Sequence, residues 1–401
     1  MKEIASGITA AAGFTTGAVH CGIRNNPLKK ELALIVSDVP CNAAAVYTTN
    51  KVKAAPLHLN KEKLANGIAQ AITVNSGNAN ACAPNDLLNA AKQAKAAAEK
   101  LGLKEEDVLV ASTGVIGVEL PIEKIEAGTK EIVLGIDSQD SAKAIMTTDT
   151  RVKEAAVEFE LGGKLVHLGG IAKGSGMIHP NMGTMLCFIT TDAAVSSAML
   201  DQALKANAKK TFNRVSVDGD TSTNDMCIVL ANGLAGNAEV EAEGEDYETF
   251  KAALFHVMET LAIEIAKDGE GASRLITVTV SSASSEAQAE TIAKSVACST
   301  LLKAAMFGKD ANWGRVLCAM GYSDAEFNPD TVDVAFASKA GEVQVCHNGK
   351  GVPFSEEKAL EILSEDEVKI LIELNEGKES VTCWGCDLTY EYVKINGDYR
   401  T

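Results

Sequence analysis

Several things are missing from this sequence of 401 residues, and each absence removes a class of protein. Basic residues are in the minority, 37 against 54 acidic, and the net charge of −17 argues against nucleic acid or an anionic membrane surface as the main partner. No GxxxxGK[ST] phosphate loop occurs. Gly174-Ser175-Gly176 also lacks the third glycine of GxGxxG, because His179 stands where it is needed. A nucleotide site is therefore weakly supported. There is no continuous apolar span either. The charge-free stretch 174–191 is broken by Gly, Pro and His, so it does not cross a membrane. The uncharged stretch 4–19 follows Met-Lys-Glu and is broken by Gly7, Thr9, Gly13, Thr15, Thr16 and Gly17, so it reads as a folded strand-and-turn start rather than a secretory signal. No low-complexity linker, internal repeat or composition break marks a domain boundary.

Metal and redox motifs are equally sparse. Ten cysteines are scattered, mostly in apolar contexts such as Met226-Cys227-Ile228, and read as reduced thiols behaving as small hydrophobes. Cys383-Trp384-Gly385-Cys386 has CxxC spacing. A redox pair of this kind opens a helix, whereas the following residues 387–395 alternate like a strand. No second CxxC or His pair completes a zinc site.

What is present is a regular mixture of elements. Strand-like runs are expected at 32–36, 69–74, 108–111, 184–189, 227–230, 275–280 and 388–395. Helical apolar spacing appears at 86–101, 122–134, 196–209, 247–267 and 286–297. Pro84-Asn85 supplies a start signal for the first helix and Gly102 a stop. The fold class is α/β, of the α+β type, with helices covering stacked β-sheets. Residues 237–248 are acidic and polar, in keeping with a surface loop.

One segment stands apart. Lys173 to Ala193, KGSGMIHPNMGTMLCFITTDA, carries a glycine-rich approach into Gly183-Thr184 and then an apolar run. Glycine permits close approach of another group, so the Thr184 hydroxyl sits in a setting suited to a nucleophile. On residue types alone, a β-branched Thr at the head of an apolar run more simply begins a strand. His179 beside Pro180 is a candidate catalytic base in principle, but a lone His in a Gly/Pro loop more often reads as a structural hydrogen-bonder.

The segment resembles the one in which ornithine acetyltransferases, the bifunctional glutamate N-acetyltransferase family of arginine biosynthesis, cut themselves to expose an N-terminal threonine. The resemblance runs in order along the chain: GITAAAGFTTGAVHCGIR near the start, NSGNANAC from Asn75, ASTGVIG from Ala111, SVDGDTSTND from Ser216, DGEGASR from Asp268, GKDANWGR from Gly308 and WGCDLTYEYVKINGDYRT at the end. The residue before the nucleophile, often Ala in that family, is Gly183 here, which keeps the site small.

The resemblance implies a fold like that of the aminopeptidase and ornithine-acetyltransferase group of N-terminal-nucleophile-like proteins. It implies cleavage between Gly183 and Thr184 into an α chain, 1–183, and a β chain, 184–401, that fold together as one catalytic unit, with two of each forming an α2β2 heterotetramer. Thr184 is then the nucleophile, and its α-amine is the base. Thr113 and Gly114 resemble the oxyanion-hole pair; on their own, residues 112–114 also read as an ordinary turn after a strand. Thr147, Lys173, Thr184, Glu270, Asn396 and Thr401 resemble the substrate-binding set, with Lys173 suited to a carboxylate and Glu270 to an ammonium. Gly269 and Gly271 suggest that Glu270 is accessible in a turn. The implied reaction moves acetyl from N2-acetylornithine to glutamate by a ping-pong route, with no metal or prosthetic group and with acetyl-CoA as a possible further donor, in the cytoplasm. The alternative enzyme is an N-terminal-nucleophile aminopeptidase or amidase, which hands the acyl group to water. A non-enzymatic protein with an uncut Gly-Thr strand entrance is the third reading.

Overall fold

A computed structural model describes residues 1–135, 137–179 and 185–398. Gly183, Thr184 and Thr401, and with them the expected cleavage point, lie outside the described residues. Two β-sheets, of nine and seven strands among the described residues, carry the architecture, with α-helices packed on them. This is the mixed α/β class that the sequence implied.

The large sheet interleaves strands from both sides of residue 184. Lys164–Lys173 pairs antiparallel with Leu186–Thr191, which runs parallel to Met226–Ala231, which in turn pairs antiparallel with the long strand Leu32–Tyr47. LCFITT and MCIVLA are buried at every position, so these unbroken apolar runs form central strands covered on both faces. Ile68–Asn78 and then Val108–Val115 continue the sheet on the far side of Leu32–Tyr47. That strand is much longer than the expected 32–36. Its pairing with Ile68–Asn78 slips between Val36 and Cys41, and this irregularity accommodates Pro40, which has no N–H to donate.

The two sheets share a core. Helix Glu245–Lys267 buries Tyr247, Phe250, Leu254, Val257, Met258, Leu261 and Ile265, a three- and four-residue spacing that forms one apolar stripe. The stripe packs in one cluster with Val157, Phe159 and Leu168 of the large sheet and with Leu275, Trp384 and Cys386 of the small one. Each such side chain contributes roughly 1.5–3 kcal/mol on burial, so the helix is firmly seated. Its C-terminal end, Asp268, is thereby delivered to the junction of the sheets.

Most expected elements are present with small shifts at their ends, and helix Asp86–Leu101 has the expected bounds. Two local readings are corrected. Residues 112–114 are not a turn, because the strand continues to Val115. The expected strand at 388–395 is a helix, Tyr390–Asp398, and the last strand is Glu379–Cys386, which contains the CxxC itself. The alternation after Asp387 misled because it has no buried side: Tyr390 and Val393 are both largely exposed. The thiols of Cys383 and Cys386 are buried within that strand, and burial pushes the Cys383 thiol up to about 12, so it does not supply a thiolate at neutral pH. Among the described residues no helix is long and apolar enough to cross a membrane.

Candidate active site

The strand end at Thr113-Gly114 is shaped by an irregular pairing. Ser76 faces Thr113 and Gly77 faces Gly114 in a parallel ladder, which then slips so that Asn78 faces both Thr113 and Val115. Gly114 has φ +133°, and a Cβ there would overlap the Gly77 carbonyl carbon. Only glycine fits this position, and its backbone lies open to the cavity described below.

An asparagine network braces the same strand. Ser112 Oγ donates to Asn75 Oδ1 at 2.7 Å, Asn75 Nδ2 donates to the Asn78 carbonyl at 2.9 Å, and Asn78 Oδ1 accepts the Asn80 N–H at 2.7 Å. Asn224 Nδ2 ties the two segments together by donating to the carbonyls of Ala79 and Ser112, at 2.6 and 2.8 Å. These are buried amides with partners, and they fix backbone that would otherwise be irregular.

Lys173 is the last residue of its strand, is buried, and donates to Thr113 Oγ1 at 3.4 Å. Burial lowers the pKa of its ammonium, and the nearby carboxylates of Asp149 and Asp225 act in the opposite direction. Burial also opposes ionisation of Asp149, yet Lys173, Lys153 and the Gly174 N–H together hold its carboxyl down at about 2. Asp149 therefore remains ionised at neutral pH and is the local counter-charge for Lys173.

Glu270 differs from expectation. It is buried, not accessible, and Asn396 Nδ2 donates to its Oε2 at 2.7 Å. Its flanking glycines serve packing. A Cβ on Gly269 would meet Cys386 Sγ, and Gly271 has φ +68° with no room beside the backbone of Tyr392. Gly176 completes the seat, since a Cβ there would overlap the Glu270 carboxyl group.

Thr113, Gly114, Thr147, Lys173, Glu270 and Asn396 all line one cavity of about 180 Å³, together with Ser222, Thr223 and Asn224. These residues come from widely separated blocks of the chain. A small adjoining cavity shares Thr113, Lys173 and Gly176 and reaches Met185, the residue that follows Thr184. So every expected site residue within the described part of the chain lies in one place, with an acidic and a basic group lining the same cavity. A larger cavity of about 820 Å³, bordered by Ala43, Tyr47, Lys61 and Lys205, contains none of them.

Four residues of the surroundings were not singled out in the sequence: Asp149, Lys153, Asn224 and Asp268. Asp268 and Asn224 stand inside the DGEGASR and SVDGDTSTND blocks, which was a usable signal. Lys153 and Asp149 had none. His179 lies outside both cavities; its Nδ1 is 3.1 Å from Ser216 Oγ, in keeping with a structural hydrogen-bonder.

A two-sheet α/β fold with a small cavity at the end of its large sheet, lined by both an acidic and a basic side chain, defines the class. The ArgJ family model matches residues 15–401, and the chain belongs to that family. It is 50% identical to the arginine biosynthesis bifunctional protein ArgJ of Caldanaerobacter subterraneus subsp. tengcongensis, with 100% of each chain covered. The protein of the same description from Symbiobacterium thermophilum is likewise 50% identical over 100% of both chains. Among solved structures, the arginine biosynthesis bifunctional protein argJ of Bacillus halodurans is 45% identical with a TM-score of 0.50, covering 52% of this chain and 97% of that one.

Proposed function

We propose that the protein is a glutamate N-acetyltransferase of arginine biosynthesis, which moves acetyl from N2-acetylornithine to glutamate through an ester on Thr184. The observation that carries this reading is the single cavity in which Thr113, Gly114, Lys173, Glu270 and Asn396 converge beside the start of the strand that follows Thr184. A zwitterionic amino acid needs one buried cation and one buried anion, and this cavity has both.

In this reading, cleavage after Gly183 frees the α-amine of Thr184, whose ordinary pKa of about 7.7–8.0 lets it take the hydroxyl proton near neutral pH. The hydroxyl oxygen attacks the acetyl carbonyl of N2-acetylornithine, and the developing oxyanion is met by the Thr113 hydroxyl and the Gly114 N–H. The carbon–nitrogen bond then breaks, the amine of ornithine leaves with a proton, and acetyl remains on Thr184. Glutamate enters and its amine takes the acetyl group, regenerating the hydroxyl. Lys173 holds the α-carboxylate and Glu270, oriented by Asn396, an ammonium; Thr147 and Thr401 complete the contacts. No metal or prosthetic group takes part.

Division of the chain at 184 has support of a simple kind. The Bacillus halodurans chain is matched over 97% of its length while covering only 52% of this one, so it is about half as long, as the piece 184–401 would be. The remaining parts of the reading are acceptance of acetyl-CoA as a second donor, assembly as an α2β2 heterotetramer and residence in the cytoplasm.

A denaturing gel and one assay test the reading together. Wild-type protein is expected to run as two fragments split before Thr184, and Thr184→Ala as one uncut, inactive chain. Acetylornithine consumption is expected to require glutamate. A single full-length band from active wild-type protein, or equal consumption without glutamate, refutes it; the second result would make the enzyme an amidase.

A further inference from the structure

Three residues lining the cavity are held by one side chain that does not reach it. Lys153 is fully buried, with its Nζ 2.7 Å from Asp149 Oδ1, 2.6 Å from Asp268 Oδ2 and 3.4 Å from the Arg151 carbonyl. Both carboxylates are buried as well. An ammonium has three N–H donors, and here each has an acceptor. Nothing is left over for a substrate.

Each carboxylate passes the constraint on. Asp149 accepts the backbone N–H of Gly174 at 2.7 Å and that of Thr147 at 3.0 Å, which fixes the segments that carry Lys173 and Thr147. Asp268 accepts the Thr150 N–H at 3.0 Å and the Thr150 hydroxyl, and its own carbonyl accepts Ser175 Oγ at 2.7 Å. The Ser175 carbonyl in turn accepts the Glu270 N–H at 3.0 Å. One ammonium thus ties together the strand Lys153–Leu161, the end of the strand that carries Lys173 and the C-terminal end of helix Glu245–Lys267.

A buried ion cluster is weak evidence for stability, since apolar replacements of similar volume are often neutral or stabilising. What it does specify is relative position, because every partner is directional. We propose that Lys153 is a positioning residue of the acyl-transfer site, setting the placement of Thr147, Lys173 and Glu270 through Asp149 and Asp268 without touching substrate. The proposal rests on the amino-acid-binding reading of the cavity given above.

The test compares wild type with the charge-balanced double variant Lys153→Met/Asp268→Asn, because Lys153→Met alone leaves two buried carboxylates facing each other. Ornithine and glutamate binding is measured by calorimetry, and acetyl transfer by steady-state kinetics, on protein shown to be folded by its thermal transition. Kd and KM for both amino acids are expected to rise about tenfold, while kcat falls by less than the roughly 10²-fold expected for losing the Thr113 donor outright, since Lys173 and Thr113 are displaced but no reacting group is removed. A folded double variant with wild-type Kd and KM overturns the proposal. If the double variant does not fold, Lys153→Arg is read by the same criteria: it keeps the charge but not the single point at which both carboxylates meet. Wild-type protein that binds neither amino acid and transfers no acetyl refutes the functional reading itself, a result distinct from normal binding in the variants.

Discussion

The ammonium of Lys173 donates to the hydroxyl oxygen of Thr113 across 3.4 Å, and this fixes which way the hydroxyl can act. A lysine ammonium has donors only, so Thr113 Oγ1 is the acceptor in this pair and its own proton is available for another acceptor. Under the proposed acyl transfer, in a cavity that also exposes Gly114, that acceptor would be the developing oxyanion. In the proposed reaction the same lysine would serve two ends, binding a carboxylate and orienting the Thr113 hydroxyl.

Thr113→Ala removes the side-chain donor and leaves the Gly114 N–H. Loss of one such donor costs about 10²–10³ in kcat, roughly 2.7–4 kcal/mol of transition-state stabilisation. KM is expected to change little. Steady-state kinetics check this; an unchanged kcat removes Thr113 from the oxyanion hole.

Gly114→Ala acts on the backbone. At φ +133°, with the Gly77 carbonyl carbon in the space of the new Cβ, the strand end must move. Substitutions at positions whose conformation only glycine adopts destabilise by more than about 1 kcal/mol. Thermal unfolding is expected to fall by several degrees and transfer to be lost, whereas Gly102→Ala, at a helix end with open space around it, is expected to lower stability and leave transfer intact.

Asp149 makes stability depend on acid. Its carboxyl has a folded-state value of about 2, below the ordinary unfolded value of about 3.9, so its contribution is present above pH 4 and is lost as pH falls toward 2. A shift of this size corresponds to roughly 2–3 kcal/mol. Denaturant unfolding at pH 7, 4 and 3 is expected to show wild type losing stability through this window. Asp149→Asn is expected to start lower, with Lys153 and Lys173 left short of a counter-charge, and to lose less.

How far this was legible in the sequence depends on the range of the interaction. Helix Asp86–Leu101 was readable because its signals are local: an apolar spacing, a start at Pro84-Asn85 and a left-handed Gly102 at its end, φ +69°. The cavity residues were legible only through resemblance, since bonds such as Asn396 to Glu270 join positions 126 residues apart. Nothing local marks Lys153 among 37 basic residues, because Asp149, four positions earlier, is one partner only, and the second carboxylate, Asp268, comes 115 positions later. The hairpin Lys153–Leu161 and Lys164–Lys173 did carry a cue that was not used: Gly162-Gly163 at its turn, both with positive φ. At Glu270, flanking glycines suggested an open turn, whereas they are there because Cys386 and the backbone of Tyr392 pass too close for a side chain.

The pH dependence of transfer separates the groups that act in the site. On the acid side, the proposed reaction needs the α-amine of Thr184 neutral to take the hydroxyl proton, so activity is expected to fall as pH drops through about 7–8. His179 cannot supply that limb, because burial and the nearby Lys294 lower its pKa from the ordinary 6.5, so it is already neutral there. His179→Gln is therefore expected to keep the acid limb, and its disappearance with activity retained would assign the base to the histidine. On the alkaline side, burial lowers Lys173 from its ordinary 10.5, so the charge proposed to hold the carboxylate is lost before a free lysine would lose it, and KM is expected to rise there while kcat holds longer. Lys173→Arg tests that limb: a guanidinium stays protonated through this range, so the variant has a weaker baseline affinity but no alkaline rise in KM. An alkaline rise that persists in Lys173→Arg would show that another group carries the charge that holds the carboxylate.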